Sequence, residues 1–136
     1  MAERRATRGL VDTSVVIDLD QLDPGSLPEQ LAVSSLTMAE LAAGPHAAGD
    51  SAERARRQDR LQRAEATFHS LPFDTAAARA YGLIYAATAA TGRKARGPRA
   101  VDLLIAATAL AASLPLYTRN TEDFRGIEHL VDVIGV

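Results

Sequence analysis

Short apolar runs alternate with longer stretches of helical spacing along this chain, and that alternation limits its fold more than any other feature. Gly9-Leu10-Val11, Leu31-Ala32-Val33-Ser34 and Leu114-Pro115-Leu116-Tyr117 each read as a strand, and a last strand falls within Leu130 to Val136. Helices are predicted for Ser14 to Leu19, Thr37 to Ala43, Ser51 to Ser70, Thr75 to Thr91 and Pro98 to about Ser113. Gly44-Pro45 reads as a stop signal after the second of these, and Pro98 as a start signal for the last. Leu71-Pro72-Phe73 is expected as a short extended piece. Strands that alternate with helices indicate an α/β domain with a small, mainly parallel sheet. Right-handed crossovers then place helices on both faces, giving three α/β/α layers. With no internal repeat and no low-complexity linker, 136 residues are expected to form a single domain, 1–136.

Composition narrows the function. Apolar residues at 47% against 24% charged supply one ordinary core. No apolar run approaches 18 residues, so no membrane helix is expected. The polar start Met1 to Arg8, with Arg4, Arg5 and Arg8, argues against a signal peptide, and a cytoplasmic location is expected. The absence of cysteine excludes thiolate zinc sites, iron–sulfur clusters and cysteine nucleophiles. His46, His69 and His129 stand far apart, without ligand spacing. A net charge of −2 excludes attachment to nucleic acid by bulk positive charge, while leaving room for a local basic surface.

Four acids attract attention by their placement. Ligands of parallel α/β sheets bind beyond the carboxyl ends of the strands. Asp12 follows the first strand directly, and Thr118, Arg119, Asn120 and Asp123 follow the strand ending at Tyr117. Glu40 lies on the same helix side as Thr37 and Gly44. Asp102 sits in the apolar helix Val101-Asp102-Leu103-Leu104-Ile105, where burying a carboxylate without compensation is costly. Converging carboxylates repel one another unless a cation lies among them. Oxygen donors alone favour Mg²⁺ or Mn²⁺ over zinc, and such clusters act on phosphate esters. Each acid also has a plainer reading: Asp12 as a helix cap, Glu40 as a solvated residue, Asp102 as a first-turn acid complementing the helix dipole, Asp123 as a turn residue.

Positive charge near such a centre is concentrated in Arg93-Lys94-Ala95-Arg96-Gly97-Pro98-Arg99, which has no acid and immediately precedes the Asp102 helix. Arg93, Lys94, Arg96 and Arg99 are therefore candidates for contact with the phosphates of a substrate, with a solvated loop as the alternative. Arg119 is a further candidate, or an ion-pair partner. Arg54, Arg56, Arg57, Arg60 and Arg63 are interleaved with Glu53, Asp59 and Glu65, which reads as a solvated helix face. Tyr81 and Tyr85, one turn apart, suit core packing or a dimer contact.

Taken together, four segments resemble a PIN domain, specifically the VapC-like toxin ribonucleases of VapBC-type toxin–antitoxin pairs. They are Leu10-Val11-Asp12-Thr13-Ser14-Val15-Val16-Ile17, Glu40-Leu41-Ala42-Ala43-Gly44, Val101 to Ala109 and Tyr117-Thr118-Arg119-Asn120-Thr121-Glu122-Asp123-Phe124. Each motif alone is weak; their order and spacing cover nearly the whole chain. The resemblance implies a metal-dependent endoribonuclease with Asp12, Glu40, Asp102 and Asp123 around Mg²⁺, for which Mn²⁺ substitutes. It carries Asn120 and Thr118 over as helpers, with Ser14 beside them. It also implies a homodimer, inhibited by a cognate antitoxin protein that occupies a groove near the site.

Other classes fit less well. A haloacid-dehalogenase-type phosphatase needs a second Asp where Ser14 stands, and a dinucleotide-binding enzyme needs a glycine-rich turn after the first strand. A receiver domain needs a lysine near its last strands, and Lys94 is in the wrong segment. Two rivals stay open: a PIN-like module that binds RNA or a protein without cutting, and a housekeeping RNA-processing nuclease.

Overall fold

The computed structural model describes residues 6–136. The first five residues, including Arg4 and Arg5 of the polar start, lie outside the described residues. Five strands pair in the order β3-β2-β1-β4-β5, every pairing parallel. They are β1 (Arg8–Val11), β2 (Gln30–Ser34), β3 (His69–Leu71), β4 (Leu116–Thr118) and β5 (Val133–Gly135). Around them pack α1 (Thr13–Ile17), α2 (Ser35–Ala47), α3 (Ser51–Thr67), α4 (Thr75–Ala90) and α5 (Pro98–Ala112). Among the described residues no helix is long and apolar enough to cross a membrane.

The period of two in the strands builds the layers. Leu10, Ala32 and Leu116 point to one face, where they join Ala80, Ile84, Leu103, Ala106 and Phe124 of α4, α5 and the turn after β4. Their neighbours Val11, Val33 and Tyr117 point to the other, against Val15, Val16, Leu41 and Ala64 of α1, α2 and α3. The sheet is thus covered on both faces, as predicted. Gly9 is required by this packing, because a Cβ there would stand 2.6 Å from Tyr117 Cε1 and 2.9 Å from Pro28 Cγ.

Several boundaries differ from expectation. Gly44-Pro45 does not stop α2, which runs on to Ala47 with Pro45 buried inside it. Proline forfeits one intrahelical bond, the one an N–H at this position would give the Leu41 carbonyl; the Gly44 carbonyl, near the helix end, accepts a bond of 2.9 Å from Arg57 Nη1. The third helix ends at Thr67 rather than Ser70. Phe68 turns in to pack against the Val11–Val33 cluster, and His69–Leu71, not Leu71-Pro72-Phe73, forms the extended piece by pairing with β2. Thr118 belongs to β4 rather than to the loop after it.

Candidate active site

β1 and β4 lie side by side, yet the chain leaves them in opposite directions: towards β2 and β3 from one, towards β5 from the other. Loops diverge at such a switch point and leave a crevice beyond the carboxyl ends of the strands. Asp12 stands at that crevice, buried to 5% exposure. Its N–H is held by the Tyr117 carbonyl at 3.0 Å. Its Oδ1 caps α1, accepting from Val15 N at 3.2 Å and from Ser14 Oγ at 2.5 Å. Asp12 is therefore a helix cap, and that role uses only one carboxylate oxygen.

The other acids come from three further elements. Glu40 is exposed on α2, and its Oε1 accepts from Thr13 Oγ1 at 2.6 Å. Asp102 lies half-buried on α5, beyond a first turn that contains no acid, so it does not complement the helix dipole there. Asp123 sits in a 3-10 turn, Thr121–Phe124, that the buried Phe124 ring anchors in the core. Asn120 Nδ2 donates to Asp123 Oδ2 at 3.0 Å, and the fully buried Thr118 Oγ1 accepts from Asn120 N at 3.0 Å. Ser14 ties the two sides of the crevice together by accepting from Arg119 N at 3.1 Å.

These acids feel one another. The Asp102 carboxyl is pushed up to about 6 from an ordinary value of 3.8, first by burial and then by the charges of Asp123, Asp12 and Glu40. The Arg99 guanidinium opposes this shift. The four therefore share one electrostatic field. They do not share a coordination shell: among the described residues no three acids or histidines close to the spacing that encircles an ion. An all-oxygen donor set with unbalanced negative charge nonetheless fits a hard divalent cation.

Basic residues divide into two groups. Arg93 Nη1 donates to the Glu122 carbonyl at 2.6 Å and Arg99 Nη1 to the Asp123 carbonyl at 3.2 Å, so both grip the turn that carries Asp123. Lys94 and Arg96, between them, are exposed and have no ionic partner among the described residues. Arg119 pairs with Asp18 at 3.2 Å. On α3, Arg56 and Arg57 pair with Glu53, and Arg63 with Asp59, as a solvated helix face should. Tyr81 packs against the core while Tyr85 is half exposed.

The PIN-domain profile matches residues 9–130. The chain belongs to the PIN-domain family. This PIN domain is 35% identical over 128 residues to Ribonuclease VapC5 of Mycobacterium tuberculosis, a match that covers 92% of this chain and 91% of the relative. Ribonuclease VapC8 of the same species is 39% identical over 110 residues, covering 80% and 96%. The crystal structure of VapBC-5, a toxin–antitoxin family member from Mycobacterium tuberculosis, aligns with a TM-score of 0.84 at 36% identity, covering 96% of this chain and 99% of that one.

Two hydroxyl residues at this PIN domain's site are not identified as functional groups by their sequence pattern. Thr13 bonds Glu40, and the fully buried Thr37 lies behind Thr13. The signal available is weak: Thr13 directly follows Asp12, and Thr37 precedes Glu40 by one turn. Arg99 reads from its neighbours as a candidate RNA contact, and nothing in that run of charge signals that its side chain docks on Asp123's carbonyl.

Proposed function

We propose that this PIN domain is an endoribonuclease that hydrolyses RNA phosphodiester bonds as the toxin of a toxin–antitoxin pair. The observation that carries this reading is the meeting of Asp12, Glu40, Asp102 and Asp123 at the switch point, where the charges of the other three add to burial in lifting the Asp102 carboxyl to about 6. Relatives named ribonucleases at 35–39% identity support the activity. The VapBC-5 complex supports an antitoxin as partner. An RNA substrate and a protein antitoxin suit a cytoplasmic location.

Asp12, Glu40, Asp102 and Asp123 would hold Mg²⁺, with Mn²⁺ as substitute. When bound, the ion supplies positive charge for a phosphate oxygen and lowers the pKa of water. The chain's own residues do the rest. Asn120 holds Asp123 through its amide, and the pair orients water for in-line attack. Arg99 steadies the turn below them. Lys94 and Arg96 face solvent at the rim and take the phosphates of the substrate strand, which positions RNA without reading its sequence. With water as nucleophile rather than the ribose 2′-hydroxyl, the products carry 5′-phosphate and 3′-hydroxyl ends. Leu83 at 58% and Tyr85 at 50% exposure on α4 support a contact between two protomers.

The test is cleavage of total cellular RNA by the purified chain, with and without Mg²⁺ or Mn²⁺, with end mapping and an Asp12→Asn control. Discrete metal-dependent cuts bearing 5′-phosphates, absent in the control, are expected. A primary 2′,3′-cyclic phosphate would overturn the water mechanism. Full activity of folded Asp12→Asn would overturn the assignment of the site.

A further inference from the structure

Glu40 is the least supported of the four acids. It is exposed, it sits on a helix surface, and its side chain has three torsions to fix. Asp12 is held differently: a backbone N–H and a hydroxyl both reach its Oδ1. Glu40 has one hydrogen-bond partner among the described residues, Thr13 Oγ1 at 2.6 Å. Behind that oxygen lies Thr37 Oγ1, 3.0 Å away and fully buried one turn before Glu40 on α2. A threonine hydroxyl carries one proton, and a carboxylate can only accept. Thr13 Oγ1 is placed to donate to either oxygen; its one proton goes to the nearer and charged one, Glu40 Oε1, so the proton of the Thr13–Thr37 contact has to come from the Thr37 hydroxyl.

We propose that Thr37 and Thr13 form a two-hydroxyl relay that fixes Glu40 in the orientation needed for the site to bind a divalent cation. Thr37 is thus a positioning residue that never touches the ion. The relay joins two elements: Thr13 opens α1 next to Asp12, and Thr37 lies inside α2. It sets the distance between the first two acids by a chain of hydroxyls rather than by backbone alone. It also leaves Glu40 Oε2 outside the relay. The proposal rests on the reading of the four acids as a cation site, and it assigns a reason for two threonines that the cleavage reaction itself does not use.

The experiment measures Mn²⁺ binding without RNA, from the electron paramagnetic resonance signal of the free ion. Thr37→Val keeps the shape of the side chain and removes the donor. It is expected to weaken Mn²⁺ binding about 10-fold, the usual cost of losing a partner that orients a ligand. Thr37→Ser is expected to restore binding to within about two-fold, and Thr13→Val to lose at least as much as Thr37→Val. In a Glu40→Gln background, adding Thr37→Val should change the remaining affinity no further, because the relay then ends on no carboxylate. A Thr37→Val protein that binds Mn²⁺ like the wild type overturns the relay. So does an equal loss with and without Glu40, which marks Thr37 as core packing only. Should Thr37→Val not fold, Thr13→Val, at a half-buried position, reads the same relay. Failure of the wild-type chain to bind Mn²⁺ overturns the cation site itself and the relay with it, and is distinguishable from either result.

Discussion

Replacing Asp102 by Asn should make the metal-free protein more stable while it stops cleavage. The reason lies in the elevated Asp102 carboxyl, at about 6 against an ordinary 3.8. A carboxyl raised on folding binds its proton more tightly in the folded chain, so at neutral pH its ionised form opposes folding. The full shift corresponds to about 3 kcal/mol. Solvent still reaches this half-buried group, and screening reduces the expected gain from Asp102→Asn to about 1–2 kcal/mol. For a chain of 136 residues that is a rise in Tm of about 3–7 °C. The sign depends on pH in a defined way. Below about 4 both folded and unfolded chains are protonated, and the penalty vanishes; above about 6 it is complete. The assay is thermal unfolding of both proteins in chelator, at pH 7 and at pH 4, then at pH 7 with Mg²⁺. The gap between them should be widest at pH 7 in chelator and shrink towards pH 4. Added Mg²⁺ should raise the wild type more than the variant, because ligand binding to the folded state is stabilising. A variant no more stable than wild type at pH 7, or a gap that does not change with pH, refutes the argument that Asp102 is held ionised against its surroundings.

Further outcomes follow from other interactions. Lys94→Ala with Arg96→Ala should reduce the slope of log affinity for single-stranded RNA against log salt by about 1.4, or about 0.7 for each phosphate that is no longer neutralised, as read by fluorescence anisotropy; an unchanged slope would remove both residues from the RNA path. Arg99→Ala frees the Asp123 carbonyl, and should lower kcat more than it changes that slope. Gly9→Ala drives a Cβ to 2.6 Å from the Tyr117 ring and should cost about 1–3 kcal/mol in chemical denaturation, through overpacking. Phe124→Ala should cost about 3–5 kcal/mol and release the turn that carries Asp123, so activity should fall at temperatures where the chain remains folded.

Much of this is legible in the sequence because it is written in local chemistry. Leu10 and Val11, or Leu116 and Tyr117, are apolar on successive residues, and a strand so patterned must be covered on both faces. Asp102 stands out because Val101, Leu103 and Ile105 surround it, and its raised carboxyl is the consequence. What is not legible depends on partners distant in the chain. The helix through Pro45 is supported by Arg57, which belongs to the next helix. β3 carries an exposed His69 and Ser70 and has no apolar alternation; its pairing with β2 alone makes it a strand. Arg93 and Arg99 lie in a run of positive charge that looks solvated, and only the folded chain offers them the carbonyls of Glu122 and Asp123. The threonines at 13 and 37 are unremarkable as residue types, and their hydroxyls matter only because α1 and α2 meet.

The strand order also governs when the proposed cleavage site can be completed during synthesis. β1 is made well before its neighbour β4, which starts at Leu116, and the bond from Arg119 to Ser14 spans 105 positions. Domains generally fold as units once their sequence has been synthesised, and long-range strand pairing is slow. A growing or prematurely released chain that stops short of Leu116 has Asp12, Glu40 and Asp102, yet one edge of β1 is unpaired and Asp123 is missing. On the proposed reading, a site able to cut RNA is assembled only once Leu116 to Asp123 have been made, and a chain that lacks them is expected to leave RNA intact.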